Sequence, residues 1–273
     1  MPNDDAQFER LVGALRPWLP ELVVVGGWAH RMHFRHPSAG RPTFGPVTTR
    51  DADVAFASNA RLRGDIAKAL SDAGFREELT SDQVPPIAQY RLGADDQGFY
   101  VEFLAPQTGS GIRRDGREDA TVYKAGVTAQ RLRHLEVLLL EPWEVIVGGA
   151  GSDFVPDPVA VRIANPVTFI VQKLLIHGVR RADKKAQDLL YIHDTLQLFG
   201  SRLKPFGHLW RDHIARSLTP AQRRAVTRSN AALFERVSDE LRTAARIPLD
   251  RTLRPEDMRA ACAEGLSRLL ADE

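Results

Sequence analysis

The sequence predicts an α/β amino-terminal half, with a mixed sheet and flanking helices, followed by an all-helical carboxy-terminal half. Up to about residue 160, short apolar runs alternate with amphipathic stretches and with glycine-rich turns, which is typical of strands and helices built around a sheet. From Pro166 onwards the apolar residues recur at helical spacing, and Asn165 precedes Pro166 as a predicted N-cap. We therefore predict two domains, residues 1–160 and 161–273.

Composition favours a folded protein of the cytoplasm. The chain has 273 residues, of which 43% are hydrophobic and 26% are charged, and this is ordinary for a folded soluble protein. No apolar run approaches the roughly 20 residues that cross a bilayer, and the polar, acidic residues 1–10 do not resemble a signal peptide. Cys262 is the only cysteine, so an intrachain disulfide is impossible, and we expect a reducing, cytoplasmic setting with no membrane partner.

The elements of the first half follow from their apolar spacing. We predict helices over 4–19, 27–34 and 61–75, a proline- and glycine-rich loop over 35–49, and strands over 21–27, 50–57, 88–93, 99–106, 133–140 and 143–149. The stretch 94–98 is predicted as the turn that joins two of these strands.

The second half is predicted as four helices, over 167–179, 181–199, 219–245 and 254–271. Its charge is strongly basic, with 13 Lys and Arg against 4 Asp and Glu between Arg162 and Arg228, a difference of +9. Two interpretations stay open at this point: a surface for a polyanionic partner, or an ordinary, well-solvated arginine-rich surface.

Two predicted strands carry acids within otherwise apolar runs. Residues alternate faces along a strand, so Asp51 and Asp53 share one face of the strand 50–57, about 7 Å apart along the backbone. Glu102 is a lone charge in the strand 99–106. If the two strands pair, the three acids cluster, and clustered carboxylates repel one another unless a cation such as Mg²⁺ binds. The alternative is a half-exposed sheet with acids on its wet side.

A pair of glycines precedes the acids. Gly26 and Gly27 lie between the apolar run 22–25 and a predicted helix. A helix that begins at glycine lets backbone N–H groups approach an anion closely, and the helix dipole favours phosphate at that end. Arg31, in the same predicted helix, is a further candidate for an anion ligand.

The combination of a Gly-Gly helix start, an Asp-x-Asp strand and a third acid on a later strand resembles the nucleotidyltransferase fold superfamily. The matching positions are Gly26, Gly27, Asp51, Asp53 and Glu102. The resemblance implies a site in which Asp51, Asp53 and Glu102 bind Mg²⁺ or Mn²⁺ and in which an NTP is the substrate. Many members of the superfamily have Ser where Gly27 stands.

The helical half resembles the AbiEii-type toxin nucleotidyltransferases and related uncharacterised bacterial families. The matching residues are Lys173, Arg181, Lys184 and Asp188, while Lys185 stands where the family has Asp. The resemblance implies nucleotide contacts by Lys173, Lys184 and Asp188, an RNA acceptor such as tRNA, and an antitoxin partner. From spacing alone, Lys184 and Asp188 are also consistent with a surface ion pair, and Lys173 with a lysine that snorkels to the surface.

These observations lead to two functional hypotheses. The first is a metal-dependent enzyme that moves an NMP from an NTP to an acceptor hydroxyl and releases pyrophosphate. The second is a non-catalytic, nucleotide-binding protein with a degenerate site, which the missing Ser and the substituted Lys-Asp pair favour. The histidines His30, His33 and His36 fall at a spacing of three, and we interpret them as a partly exposed polar stripe rather than as metal ligands.

Overall fold

The computed structural model of the chain describes residues 4–57, 60, 62–81, 85–93, 98–112, 114 and 116–271. The chain forms two compact units, and neither is one continuous stretch. The first comprises Met1–Ala29 and Thr48–Ala164, and the second comprises His30–Val47 and Asn165–Glu273. Segment 30–47 therefore belongs with the helical residues, whereas the division predicted from the sequence places it before residue 160. The boundary at 160/161 stays a prediction.

The first unit is built on one mixed sheet. Its strands, in the part of the chain that the structure describes, are β1 (Leu22–Val25), β2 (Asp51–Phe56), β3 (Phe75–Leu79), β4 (Ala88–Leu92), β5 (Phe99–Pro106), β6 (Thr121–Lys124), β7 (Val127–Leu132), β8 (Trp143–Val147) and β9 (Val159–Ile163). They lie in the order β3-β4-β5-β2-β1-β9-β8, and β7 pairs with both β5 and β6.

Strand direction is mixed, as the sequence predicts. β2 runs parallel to β5 and antiparallel to β1, while β4 runs antiparallel to β5. The first half of β5 pairs with β4 and the second half pairs with β7. The predicted turn over 94–98 falls largely on residues 94–97, which lie outside the described residues. The strands it was expected to connect are adjacent and antiparallel.

Among the residues that the structure describes, four α-helices belong wholly or partly to the first unit: α1 (Asp4–Leu15), α2 (Gly26–His33), α3 (Ile66–Asp72) and α4 (Leu135–Leu138). The buried face of α1 places Phe8 on the indole of Trp28, with ring centroids 4.1 Å apart. Trp28 in turn meets the edge of Phe99 at 5.7 Å. Stacks of this kind bury large apolar areas, so the start of α2 is fixed against the sheet.

The second unit is helical, as predicted. Its helices are α5 (Pro166–Ile176), α6 (Ala182–Leu198), α7 (Leu203–Leu209), α8 (Ala215–Ser217), α9 (Pro220–Leu233), α10 (Asp239–Ala244) and α11 (Pro255–Leu269), with a π-helix over Trp210–Ile214 between α7 and α8. Asn165 caps α5, and its side chain accepts a hydrogen bond from the backbone N–H of Thr168 at 2.9 Å. No helix in the described residues is both long and apolar enough to cross a bilayer.

Several element predictions were wrong. The stretch 133–140 contains the short helix α4 rather than a strand, because His134 takes a left-handed backbone conformation (φ 63°) and turns the chain. The predicted helix 219–245 is two helices, since Phe234 leaves the helical region (φ −120°) and Ser238 caps α10. Strands β3, β6, β7 and β9 and the helices between 203 and 217 had no counterpart in the prediction.

Candidate active site on strands β2 and β5

The structure brings the predicted acids onto one face of two neighbouring strands. Asp53 lies directly opposite Glu102 in the parallel register of β2 and β5, and Asp51 lies opposite Tyr100. Residues opposite each other in a sheet project to the same face, and both aspartates and Glu102 are half-buried. The pairing of β2 with β5, on which the predicted cluster depended, is therefore formed.

Neighbouring polar side chains orient these acids. The Thr49 hydroxyl donates a hydrogen bond to Oδ1 of Asp51, and the Gln89 amide donates one to Oε1 of Glu102. Gln89 lies opposite Glu102 on β4, and Arg91 donates to Oε1 of Gln89 at 2.9 Å. Gln89 and Arg91 were not among the predicted site residues, although their alternation with apolar residues in β4 indicates one polar face of that strand.

The pKa of Tyr100 reflects the negative charge of this face. Burial, and next the nearby carboxylates of Asp51, Glu102 and Asp53, raise the pKa of its phenol to about 12, while Arg91 acts in the opposite direction. Arg91 lies over the Tyr100 ring, 4.8 Å from the centroid. A phenol whose ionisation is opposed by three carboxylates lies in a negative potential, which would attract a cation.

The junction of β1 and α2 closes one side of the acidic face. Gly26 begins α2 directly after β1 and has a left-handed backbone conformation (φ 63°). A Cβ at this position would lie 3.1 Å from Cγ of Asp53 and closer still to its Oδ2. Glycine is therefore required here for two reasons, the backbone angle and the approach to Asp53. Gly27 follows it in the first turn of α2.

The donor set suits a hard divalent cation, although no three acidic, histidine or cysteine side chains in the described residues are arranged to hold a metal ion as they stand. Asp51 and Asp53 lie on one face of the sheet, beside the backbone turn at Gly26. A Cβ at position 26 would fill the space next to the Asp53 side chain. Mg²⁺ commonly takes one or two carboxylates and completes its coordination with water and substrate phosphates. The residues present therefore fit such an ion.

Lys173 of α5 is a buried ion-pair partner. Its ammonium lies 2.5 Å from Oδ1 of Asp188 in α6, between the rings of Phe169 and Tyr191 at 4.6 and 4.7 Å. Only 4% of Lys173 is exposed, so the snorkelling interpretation was wrong. Contacts with the aromatic faces and the carboxylate together compensate the free-energy cost of removing the ammonium charge from water.

Asp188 accepts from two cations. Besides Lys173, the Arg180 guanidinium donates from Nε to its Oδ2 at 3.0 Å. Burial alone would raise the pKa of Asp188, but the charges of Lys173 and Arg180 outweigh it and hold the pKa below the ordinary value. Nζ of Lys184 instead donates to Oε1 of Gln187 at 3.5 Å, so the alternative of a surface ion pair between Lys184 and Asp188 was wrong.

His30 and His33 are core residues, so the interpretation as a partly exposed stripe was wrong for them, whereas His36, which follows α2, is partly exposed. His30 and His33 are completely buried, and His30 packs against Phe169 and Tyr191 at ring distances of 5.9 and 4.8 Å. Burial, with the nearby positive charges, holds the pKa of His30 well below its ordinary value. Arg31, between them, is half-buried. The nucleotide contacts predicted for Arg31, Lys173, Lys184 and Asp188 stay predictions.

Similarity to known proteins is found at the level of a family and of solved structures. A family model described as nucleotidyltransferase matches residues 6–215, which confirms the resemblance seen in the sequence. Among solved structures, the chain is similar to MenT4, a nucleotidyltransferase toxin from Mycobacterium tuberculosis H37Rv. That match has 14% sequence identity and a TM-score of 0.44, and it covers 99% of this chain and 84% of the other. No curated protein matches the chain.

Proposed function

Since the chain belongs to the nucleotidyltransferase family, we propose that it moves an NMP from an NTP to an acceptor hydroxyl with release of pyrophosphate, in a reaction that depends on Mg²⁺ or Mn²⁺. One observation carries the proposal. Asp53 and Glu102 are opposite one another on β2 and β5, with Asp51 on the same face and the left-handed Gly26 against Asp53.

Each residue has a distinct role in the proposed site. A divalent cation held by Asp51 and Asp53 would neutralise negative charge on the triphosphate. Gly26 and Gly27 present backbone N–H groups at the start of α2 to the outgoing phosphates. Glu102, held by Gln89, accepts the proton of the acceptor hydroxyl as the hydroxyl attacks the α-phosphate. The bond from the α-phosphorus to the bridging oxygen breaks, and pyrophosphate leaves.

We propose RNA, and tRNA in particular, as the acceptor. The stretch from Arg162 to Arg228 carries an excess of nine positive charges, which a small neutral acceptor does not require and which would repel a cationic antibiotic. A ribose hydroxyl at an RNA end is a chemically suitable nucleophile. A protein hydroxyl is the second choice of acceptor. An antitoxin partner is proposed only on the resemblance to the AbiEii-type toxins.

A second candidate function is nucleotide binding without turnover. Asp51 and Glu102 are already engaged by Thr49 and Gln89, and Gly27 offers no hydroxyl to a terminal phosphate. A protein of this kind would bind an NTP at the same residues and release no pyrophosphate.

The test is Asp53→Asn, compared with the wild type on each of the four labelled NTPs with Mg²⁺ or Mn²⁺ and tRNA. We expect the wild type to release pyrophosphate, and the variant to lose this activity because a neutral amide cannot balance a divalent cation. Stability in urea should stay the same or rise, since one carboxylate is removed from a repelling group. Asp72→Asn is the matched control, because Asp72 is exposed and pairs with Lys68 in α3.

The outcomes separate the two candidates. Full metal-dependent activity in Asp53→Asn would end the proposed catalytic role of this face. Calorimetric binding of an NTP by the wild type, without pyrophosphate release or labelled product under any condition, would instead establish the non-catalytic protein.

A further inference from the structure

A basic cleft lies in the helical unit, and none of the residues that line it is among the predicted metal-binding or nucleotide-binding residues. Its volume is about 660 Å³, within the range of ligand-binding clefts. Its lining is supplied mainly by α9 and includes Arg223, Arg224 and Arg228, with Trp210 and Leu270 from flanking segments. We refer to it as the α9 cleft.

The arginines of the α9 cleft lack acidic partners. α9 has the sequence PAQRRAVTRSNAAL and contains no acid. Arg224 and Arg228 are exposed, lie one helical turn apart, and form no ion pair with any carboxylate of the described residues. Arg223 donates to the carbonyl oxygen of Ala215 at 3.2 Å. Like charges at this spacing repel each other in an isolated helix, so the arrangement is not one that stability favours.

The position of these charges along α9 reinforces the point. Arg223 and Arg224 follow directly on the first turn, near the positive end of the helix dipole, where cations are disfavoured. The helix terminus itself is already satisfied, because Thr219 and Gln222 form a capping box. An anion in the cleft is therefore attracted by the guanidinium groups rather than by free N–H groups at the helix start.

The floor of the cleft is apolar. Val226 is buried, Trp210 is only 6% exposed, and Trp210 begins the π-helix Trp210–Ile214. Single-turn π-helices occur frequently at functional sites. A wall of low dielectric beside charges of one sign concentrates the field of those charges, so the floor strengthens the attraction of an anion without offering an exposed aromatic face for stacking.

We infer that the α9 cleft binds the phosphate backbone of an RNA strand. Guanidinium groups form bidentate hydrogen bonds with phosphate, and the positive excess continues along the chain from Arg162 to Arg228. A polyanion can contact positive charges that are spread along such a stretch, whereas a single nucleotide cannot. The inference rests on the proposed function in one respect, that the RNA held there is the acceptor.

The test reverses two charges in the cleft and two elsewhere. Arg224→Glu/Arg228→Glu is compared with Arg236→Glu/Arg246→Glu, a control with the same change in net charge. Arg236 and Arg246 are exposed residues of the same unit and do not line the cleft. The full-length proteins are titrated with bulk tRNA by fluorescence anisotropy at a series of salt concentrations, and NTP binding is measured by calorimetry in parallel.

We expect the cleft variant to bind tRNA at least tenfold more weakly than the control at low salt. The slope of log affinity against log salt should fall in magnitude by about 0.7 to 0.9 for each phosphate that the variant no longer neutralises. NTP affinity should stay at the wild-type value in both variants. Circular dichroism spectra and urea midpoints identical to those of the wild type exclude unfolding as the cause.

Three results would overturn the inference, and each has a different meaning for the acceptor. Equal tRNA affinity in the two variants would show that the α9 cleft does not bind RNA, but would leave RNA as the proposed acceptor. Loss of NTP affinity in the cleft variant alone would make the cleft a nucleotide site. If the wild type binds no tRNA at low salt, both the cleft and the RNA acceptor fail, while pyrophosphate release still tests the transferase itself.

Discussion

Asp188 is a carboxylate almost wholly removed from water, and its ionised form depends on two cations. Its side chain is 3% exposed and lies between Lys173 and Arg180. Replacing all members of a buried ion pair by hydrophobic residues can be tolerated, but removing one partner leaves an uncompensated buried charge. The three residues join α5, α6 and the segment between them, so this ion pair contributes to the stability of the helical unit whatever its role toward a nucleotide.

We expect Asp188→Asn to lower the free energy of unfolding by about 3–5 kcal/mol at pH 7, because Lys173 then stays buried without a full negative partner. The folded pKa of Asp188 is below its unfolded value, so the stabilisation is present above the ordinary carboxyl pKa of about 3.9 and is lost as pH falls through the folded value. The difference in the free energy of unfolding between the wild type and Asp188→Asn should therefore become smaller in acid. Urea unfolding at pH 7 and near pH 3 measures it.

Asp212→Asn is the control for this prediction. Asp212 is half-exposed and pairs with Arg216 only at 3.8 Å, so its loss should change stability by less than about 1 kcal/mol. An Asp188→Asn effect no larger than that of the control, or one that grows in acid, would contradict the account of the buried pair.

Side-chain partners were predictable only where local geometry decides them. The shared face of Asp51 and Asp53 follows from the two-residue period of a strand, and the Asn165 cap follows from the first turn of a helix. The pairing of Lys173 with Asp188 is different, because the two are 15 residues apart on separate helices. Nothing in either local pattern favours it over the i, i+4 pair of Lys184 and Asp188.

The junction between β1 and α2 is the element on which the candidate site depends most. Gly26→Ala places a methyl group against the Asp53 carboxylate and forces a left-handed backbone angle on a residue with a Cβ. We expect a loss of about 1–3 kcal/mol in stability, together with a larger loss of pyrophosphate release than the stability change explains. Urea unfolding and the transfer assay measure the two effects separately.

Gly109→Ala is the matched control for Gly26→Ala. Gly109 has a similar angle (φ 72°), but a Cβ there would meet no atom within 4 Å. Gly109→Ala should therefore lose only the stability that the left-handed backbone angle costs, and it should retain pyrophosphate release. Equal losses of activity in the two variants would mean that contact with Asp53 is unimportant.

Strands were predictable from the sequence where their faces alternate or their runs are wholly apolar. β6 (TVYK) and β7 (VTAQRL) are short, mixed in composition and separated by a turn at Ala125 and Gly126, both with positive φ. They form because β7 pairs with the second half of β5, a tertiary contact that no local pattern encodes. The same holds for β9, whose place beside β1 depends on a parallel pairing across more than 130 residues.

At the scale of the whole molecule, residues 35–47 of the predicted loop are an integral part of the helical unit. Within it, the N–H of Gly40 donates to the carbonyl oxygen of Leu198 at 2.7 Å, and the N–H of Gly45 donates to Asp250 at 2.9 Å. Arg251 lies over the ring of Phe44 at 3.9 Å while binding both oxygens of the fully buried Asp194. From composition, this stretch predicts only a loop, since its partners are about 150 to 200 residues away.

We expect Arg251→Met to lower the free energy of unfolding by about 3–5 kcal/mol, because Asp194 loses the guanidinium that contacts both of its oxygens and stays buried. Arg254→Met, which removes an exposed arginine 3.9 Å from Asp257, should cost less than about 1 kcal/mol. Chemical unfolding of both variants is the measurement. A cost for Arg251→Met as small as that for Arg254→Met would show that the pair with Asp194 contributes little.

The division between the two units passes through helix α2, between Ala29 and His30. The chain therefore enters the helical unit inside a helix, leaves it at Val47, and returns only at Asn165. A chimera that exchanges residues 161–273 between relatives would leave Phe44 and its loop behind, together with the buried histidines of α2. Recombination within this architecture must exchange 30–47 along with 165–273, so the two units cannot be shuffled as consecutive cassettes.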